Sequence, residues 1–146
     1  MFIGGFSQGC MVSLATLVTW KGEKPLGGVV GLSGLQGLDE PEGLNLDVIR
    51  KIPLFSYHGK DDTVLKFENA ETSFGFLRNN IYSGEHSKNY TYNSEAGVPH
   101  SVSPKEQGLV RDWMTARCKE IDNKNKVEKV KKEEEKKASA KPAVLE

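Results

Sequence analysis

The pentapeptide Gly5-Phe6-Ser7-Gln8-Gly9 constrains this chain more than any other stretch. It follows the apolar run Met1-Phe2-Ile3-Gly4. After it, Met11, Leu14, Ala15, Leu17 and Val18 recur at helical intervals. Strand, tight turn and helix therefore meet at Ser7. A turn this sharp forces the serine into a strained backbone conformation, and side chains at Gly5 and Gly9, two residues either side, are expected to clash. The turn also projects the Ser7 hydroxyl out of the sheet. It places the Gln8 N–H at a helix N-terminus, where it can donate to a developing oxyanion. In a chain with 15 glycines the G-x-S-x-G pattern is weak alone, but here strand and helix flank it.

The rest of the chain alternates in the same way. Leu26 to Leu32 reads as a second buried strand ending in Ser33-Gly34, and Pro41 sits in a Gly- and acid-rich loop. Ile52 to Tyr57 is a third strand, with Pro53 at its start where a strand tolerates it. Lys66 to Asn79 carries Phe67, Ala70, Phe74 and Leu77 on one helical stripe. Asn89 to Tyr92 alternates as a short half-buried strand, and Pro104 to Ile121 is a last amphipathic helix. The order β-α-β-loop-β-α-β-α predicts an α/β fold, a mostly parallel sheet with helices on both faces. Its first three strands are apolar without alternation, as strands buried on both sides are.

Composition separates a body from a tail. The 146 residues carry 20 Lys+Arg and 20 Asp+Glu, a formal net charge of zero, which excludes a basic nucleic-acid footprint. Residues 119–146 hold 9 of the basic and 7 of the acidic residues and few sizeable apolar ones. Residues 1–118 are thus the expected domain, and 119–146 a Lys/Glu-rich tail read as frayed helix giving way to disorder. Cys10 and Cys118 match no metal spacing and are too few for a disulfide framework, so a reducing, cytoplasmic setting is expected, with no metal or cofactor. No apolar run approaches the ~18 residues of a membrane span, and no signal peptide is expected.

A serine nucleophile needs a base, and the base needs an acid to orient it. On a strand-turn-helix serine site these follow in the chain order Ser, Asp or Glu, His, each on a loop after a strand. Asp61 and Asp62 follow the third strand, and His100 follows the fourth behind Gly97-Val98-Pro99. Taken singly, paired Asp residues are ordinary turn formers and a loop His is ordinarily solvated. Their shared order and placement give the combination its weight. Of the remaining candidates, His58 is read as orienting its turn and His86 as exposed. Cys10 is read as a packed helix residue, and Trp20 and Trp113 as core or rim aromatics.

Ile3-Gly4-Gly5-Phe6-Ser7-Gln8-Gly9, Leu32-Ser33-Gly34, Pro53-Leu54-Phe55 through His58-Gly59-Lys60-Asp61-Asp62-Thr63-Val64, and Gly97-Val98-Pro99-His100-Ser101 together resemble successive blocks of one family. It is the acyl-protein thioesterase family, also called the phospholipase/carboxylesterase family of α/β-hydrolases, and the resemblance covers nearly all of residues 1–118. By position it implies Ser7 as nucleophile, Asp62 (fourth after His58) as acid, His100 as base and the Gln8 N–H as an oxyanion donor. It implies hydrolysis of acyl thioesters and esters, with palmitoylated proteins, lysophospholipids and small esters as substrate classes. Where the family continues G-F-S-Q-G with glycine, this chain has Cys10.

Family members also carry strands before this turn and a loop that gives a second oxyanion donor. The resemblance therefore implies the C-terminal half of the fold, with an apolar strand edge open to self-association. Two other readings accompany it. One is a catalytically inactive relative acting as an interaction module. The other is a dienelactone-hydrolase-like enzyme, against which Ser7 argues because such an enzyme has cysteine at that position.

Overall fold

The computed structural model describes residues 1–37 and 43–139. Its elements are β1 (Phe2–Phe6), α1 (Gln8–Val18), β2 (Gly28–Leu32), α2 (Leu46–Ile49), β3 (Leu54–Gly59), α3 (Phe67–Phe76), β4 (Tyr90–Glu95) and α4 (Pro104–Ser139). The four strands form one sheet in the order β1-β2-β3-β4, every pair parallel. Phe6 lies beside Leu32, Leu32 beside Tyr57 and Tyr57 beside Asn93. The strands' C-terminal ends therefore gather along one edge. β4 runs three residues past its expected end, because it pairs with β3 over the whole of Leu54–Gly59.

The two central strands are buried on both faces, which is why they read as unbroken apolar runs. Successive side chains point to opposite faces and so feed two separate cores. On one face Val29 and Leu54 pack with Cys10, Leu14 and Leu17 of α1, Ile49 and Ile52, Ala70 and Phe74 of α3, and Leu77 and Ile81 just after it. On the other, Val30, Phe55 and Tyr57 pack against Leu109, Val110, Trp113 and Met114 of α4. Helices thus cover both faces, as the alternation requires.

α3 is shorter than its periodicity suggests. It passes into one wider turn, Leu77–Ile81, closed by the Tyr82 N–H on the Leu77 carbonyl at 3.0 Å. The extra residue in that turn lets Ile81 and Tyr82 both be buried.

α4 crosses residue 118 without a break and stays helical to Ser139, so over this length the charged tail is helix. Beyond Ile121 every described side chain is exposed, and Lys and Glu, both good helix formers, carry the helix without a core. The disorder expected further on falls at 140–146, outside the described residues. Among the described residues no helix is long and apolar enough to cross a membrane.

Leu14 is fully buried between α1 and the sheet, whereas Val12 on the same helix is 66% exposed. Leu14→Ala is expected to lower the unfolding free energy in urea by about 2–5 kcal/mol. Val12→Ala should change it by less than about 0.5 kcal/mol.

Candidate active site

Ser7 sits between the last residue of β1 and the first of α1 with φ 56° and ψ −118°. Non-glycine residues rarely adopt this conformation, and holding one there costs about 1–3 kcal/mol. The surrounding backbone fixes it from both sides. The Ser7 N–H donates to the Leu32 carbonyl at 2.9 Å, and the Ser7 carbonyl accepts the Met11 N–H at 3.2 Å.

The glycines are not equivalent. A Cβ on Gly5 would lie 2.6 Å from the Gly9 Cα, so Gly5 is required by the close approach of strand to helix. A Cβ on Gly9 would meet nothing within 4 Å, so the clash expected at Gly9 does not exist. What the turn needs at position 9 is backbone within reach of Gly5, and any small residue supplies it.

The structure brings together three of the candidates. His100 Nε2 is 2.9 Å from Ser7 Oγ, and His100 Nδ1 is 2.7 Å from Asp62 Oδ2. A carboxylate only accepts, so Nδ1 carries the proton toward Asp62 and Nε2 is left to accept from the Ser7 hydroxyl. The other Asp62 oxygen accepts the N–H groups of Val64 and Leu65 at 2.9 and 2.8 Å. Burial pushes the Asp62 carboxyl up. The hydrogen bonds from His100, Leu65 and Val64 outweigh it and hold the group below its ordinary value. Gln8 opens α1, so its N–H belongs to the first turn, whose donors have no acceptor within the helix.

Asp61 does not enter this chain of bonds. It is exposed, and its carboxylate accepts the Gly97 N–H at 3.2 Å, tying the loop after β3 to the loop that carries His100. Two backbone bonds reinforce the tie, Lys60 N–H to the Glu95 carbonyl at 2.8 Å and Asp61 N–H to the Val98 carbonyl at 3.1 Å. The loops run so close that a Cβ on Gly59 would lie 2.9 Å from the Pro99 carbonyl oxygen. His58 is fully buried, donates from Nε2 to the Leu65 carbonyl at 2.7 Å and lies 3.4 Å from Asp62 Oδ2. It braces the turn that holds the acid.

The other candidates stay outside. Cys10 is buried against Gly31 of β2 and Gly34 beyond it, and burial pushes its thiol up to about 12. It fills space and is not poised to react. His86 is half-buried, not exposed; its ring lies 3.7 Å from the exposed Glu85 in the short turn before β4, at the far end of that strand. Among the described residues no group of His, Cys, Asp and Glu could hold a metal ion.

Sequence reasoning missed Phe6, whose ring packs 4.8 Å from that of His100, and it missed Ser103 and Glu106. Those two form a reciprocal cap at the start of α4. The Ser103 hydroxyl accepts the Glu106 N–H at 3.1 Å, and the Glu106 carboxylate accepts the Ser103 N–H at 3.2 Å. The signal was available, since Ser103-Pro104-Lys105-Glu106 is an S-x-x-E box with proline at the first helical position.

Gly5→Ala is expected to abolish soluble, folded protein or to cost more than about 3 kcal/mol, while Gly9→Ala should fold as well as the parent in thermal melts. A carboxyl held below its ordinary value stabilises the fold above that value and loses the effect as pH falls through its folded value. The stability gap between the parent and Asp62→Asn should therefore be widest at neutral pH and close as pH drops below about 4, measured by urea titration across pH.

A family profile described as Phospholipase/Carboxylesterase matches residues 1–116. Acyl-protein thioesterase 1 of Yarrowia lipolytica is 35% identical over 123 residues, which cover 81% of this chain and 50% of that protein. Carboxylesterase SOBER1 of Arabidopsis thaliana is 29% identical over 120 residues, 82% of this chain and 49% of that protein. The crystal structure of SOBER1 superposes with a TM-score of 0.64 over 80% of this chain and 52% of its own. The chain thus spans about half the length of the curated relatives it matches. A match to residues 1–116, on a parallel sheet with helices on both faces, places this chain in the phospholipase/carboxylesterase family of α/β-hydrolases.

Proposed function

We propose that this chain carries the reaction centre of a serine hydrolase that cleaves acyl thioesters or carboxylic esters through an acyl-enzyme. The observation that supports this most is the unbroken hydrogen-bond chain Ser7–His100–Asp62, with the serine on a strained turn at a helix N-terminus. In this reading His100 Nε2 takes the proton of Ser7 as Oγ attacks the acyl carbonyl. Asp62 holds the imidazole in the tautomer that leaves Nε2 free and stabilises the imidazolium that results. The Gln8 N–H meets the oxyanion. The imidazolium then protonates the departing thiol or alcohol, and water, activated by the same imidazole, releases the acid.

Relatives named acyl-protein thioesterase and carboxylesterase support acylated proteins and small esters as substrates, and lysophospholipids fit the family description. The free thiols of Cys10 and Cys118 suit a reducing, cytoplasmic setting. Residues 1–118 form the hydrolase part in this proposal, and 119–146 a charged appendage to it.

One observation favours a second reading. β1 pairs only with β2 among the described residues, so its outer edge offers a row of backbone groups through which a catalytically inactive chain could self-associate or bind a partner.

A fluorophosphonate probe separates the two. It is expected to label the protein at Ser7, to lose all labelling in Ser7→Ala, and to react roughly 1,000-fold or more slowly with Asp62→Asn. A folded protein that the probe does not label would sink the hydrolase reading, and a concentration-dependent dimer in size exclusion would then favour the second.

A further inference from the structure

His100 lies in the loop 96–102, between the last residue of β4 and the cap of α4. The half of the loop before His100 is held by Asp61, through the Gly97 N–H and the Val98 carbonyl. The half after it is held by a separate polar cluster. The Ser103 hydroxyl donates to Glu95 Oε2 at 2.8 Å, joining the two ends of the loop directly. The Tyr57 hydroxyl donates to the same oxygen at 2.5 Å and anchors it to β3, one residue before His58. The Ser103 hydroxyl can aim at Glu95 only while its own backbone is fixed, and Glu106 fixes it by closing the reciprocal cap.

Glu106 is fully buried, and its Oε1 has no hydrogen-bond partner. An ordinary capping glutamate sits in solvent at no such cost. Buried polar atoms without partners are uncommon in folded proteins and call for a cause.

We propose that Glu106 is a positioning residue for His100, acting through Ser103, Glu95 and Tyr57 to hold the imidazole over Ser7. This rests on the reading of Ser7 and His100 as nucleophile and base. The charged and titratable groups around the cluster are Tyr57 from β3, Glu95 from β4 and Lys105 from α4 itself. Burial, joined by the nearby Glu95 charge, raises the Glu106 carboxyl despite the Ser103 N–H, and hydrogen bonds from Tyr57 and Ser103 lower that of Glu95. Negative charge is therefore better accommodated on Glu95, where both hydroxyls point, than on Glu106.

The test compares Glu106→Ala with Glu106→Gln, since glutamine closes the same cap without the charge. Glu106→Ala should slow fluorophosphonate labelling of Ser7 by about 10–100-fold, the scale of a small misplacement of a reacting group. With a soluble ester the loss should appear in kcat with KM little changed. Glu106→Gln should recover to within about threefold of the parent. Independently of any reaction, the proton on His100 Nδ1, shared with Asp62, should give a far-downfield NMR signal that broadens or vanishes in Glu106→Ala and returns in Glu106→Gln.

A folded Glu106→Ala protein with parental labelling and an unchanged signal would overturn the proposal and leave Glu106 as a helix cap alone. If the parent protein is not labelled, the hydrolase reading fails and the NMR signal alone decides the positioning role. If Glu106→Ala does not fold, Tyr57→Phe takes its place, with slower labelling and a broadened signal expected and parental behaviour in both overturning the link.

Discussion

Parallel pairing in a single register is the constraint on which everything else rests. With Phe6, Leu32, Tyr57 and Asn93 in one row, the strands end together, and each loop after a strand emerges on the same side of the sheet. Open α/β sheets bind and react at that side for this reason. Ser7, Asp62 and His100 come from three such loops, and a one-residue shift of β1, β3 or β4 would carry its own residue out of the row. The apolar character of β2 and β3 enforces the register, because a slip would turn Val30 and Phe55 away from α4 and toward α1 and α3.

Above that frame the site is held by close approach more than by strong bonds. Gly5 lets strand and helix touch behind Ser7, and Gly59 lets the loop after β3 lie beneath the one bearing His100. Asp61 and Asp62 divide the labour, one fastening the two loops and the other facing the imidazole. The strain in the Ser7 backbone is offset by the hydrogen bonds to Leu32 and Met11 and by the packing of α1 on the sheet.

How much of this could be read beforehand depended on the range of the interactions. The elements were legible because apolar periodicity is local, and Ser7, Asp62 and His100 were legible because each stands where a run of such periodicity stops. The preference for Asp62 over Asp61 came from the family resemblance, since two aspartates in one turn look alike until their surroundings are known. Gly9 was misjudged because the steric conflict in the turn lies on one side only. Tyr57 and Glu95 carried no local mark, being 38 residues apart and ordinary in their strands. The cap at Ser103 and Glu106 stands in four consecutive residues, but nothing local joins an S-x-x-E box to a site, since its partner Glu95 lies eight residues upstream on β4. The tail was read as frayed because it lacks a core, but intrinsic helix preference carried α4 through it.

Ser7 and His100 follow the two outer strands of the sheet among the described residues. β1 and β4 stand three strand spacings apart, about 14 Å, and the loop 96–102 has to arch over β3 and β2 to close a bond spanning 93 residues of sequence. Such a closure collects no reward until every intervening strand is seated, so the serine–histidine contact depends on all four strands. The Ser7–His100 contact is in this way a readout of the whole sheet's integrity, and a remote lesion in β2 or β3 would break it without touching either side chain.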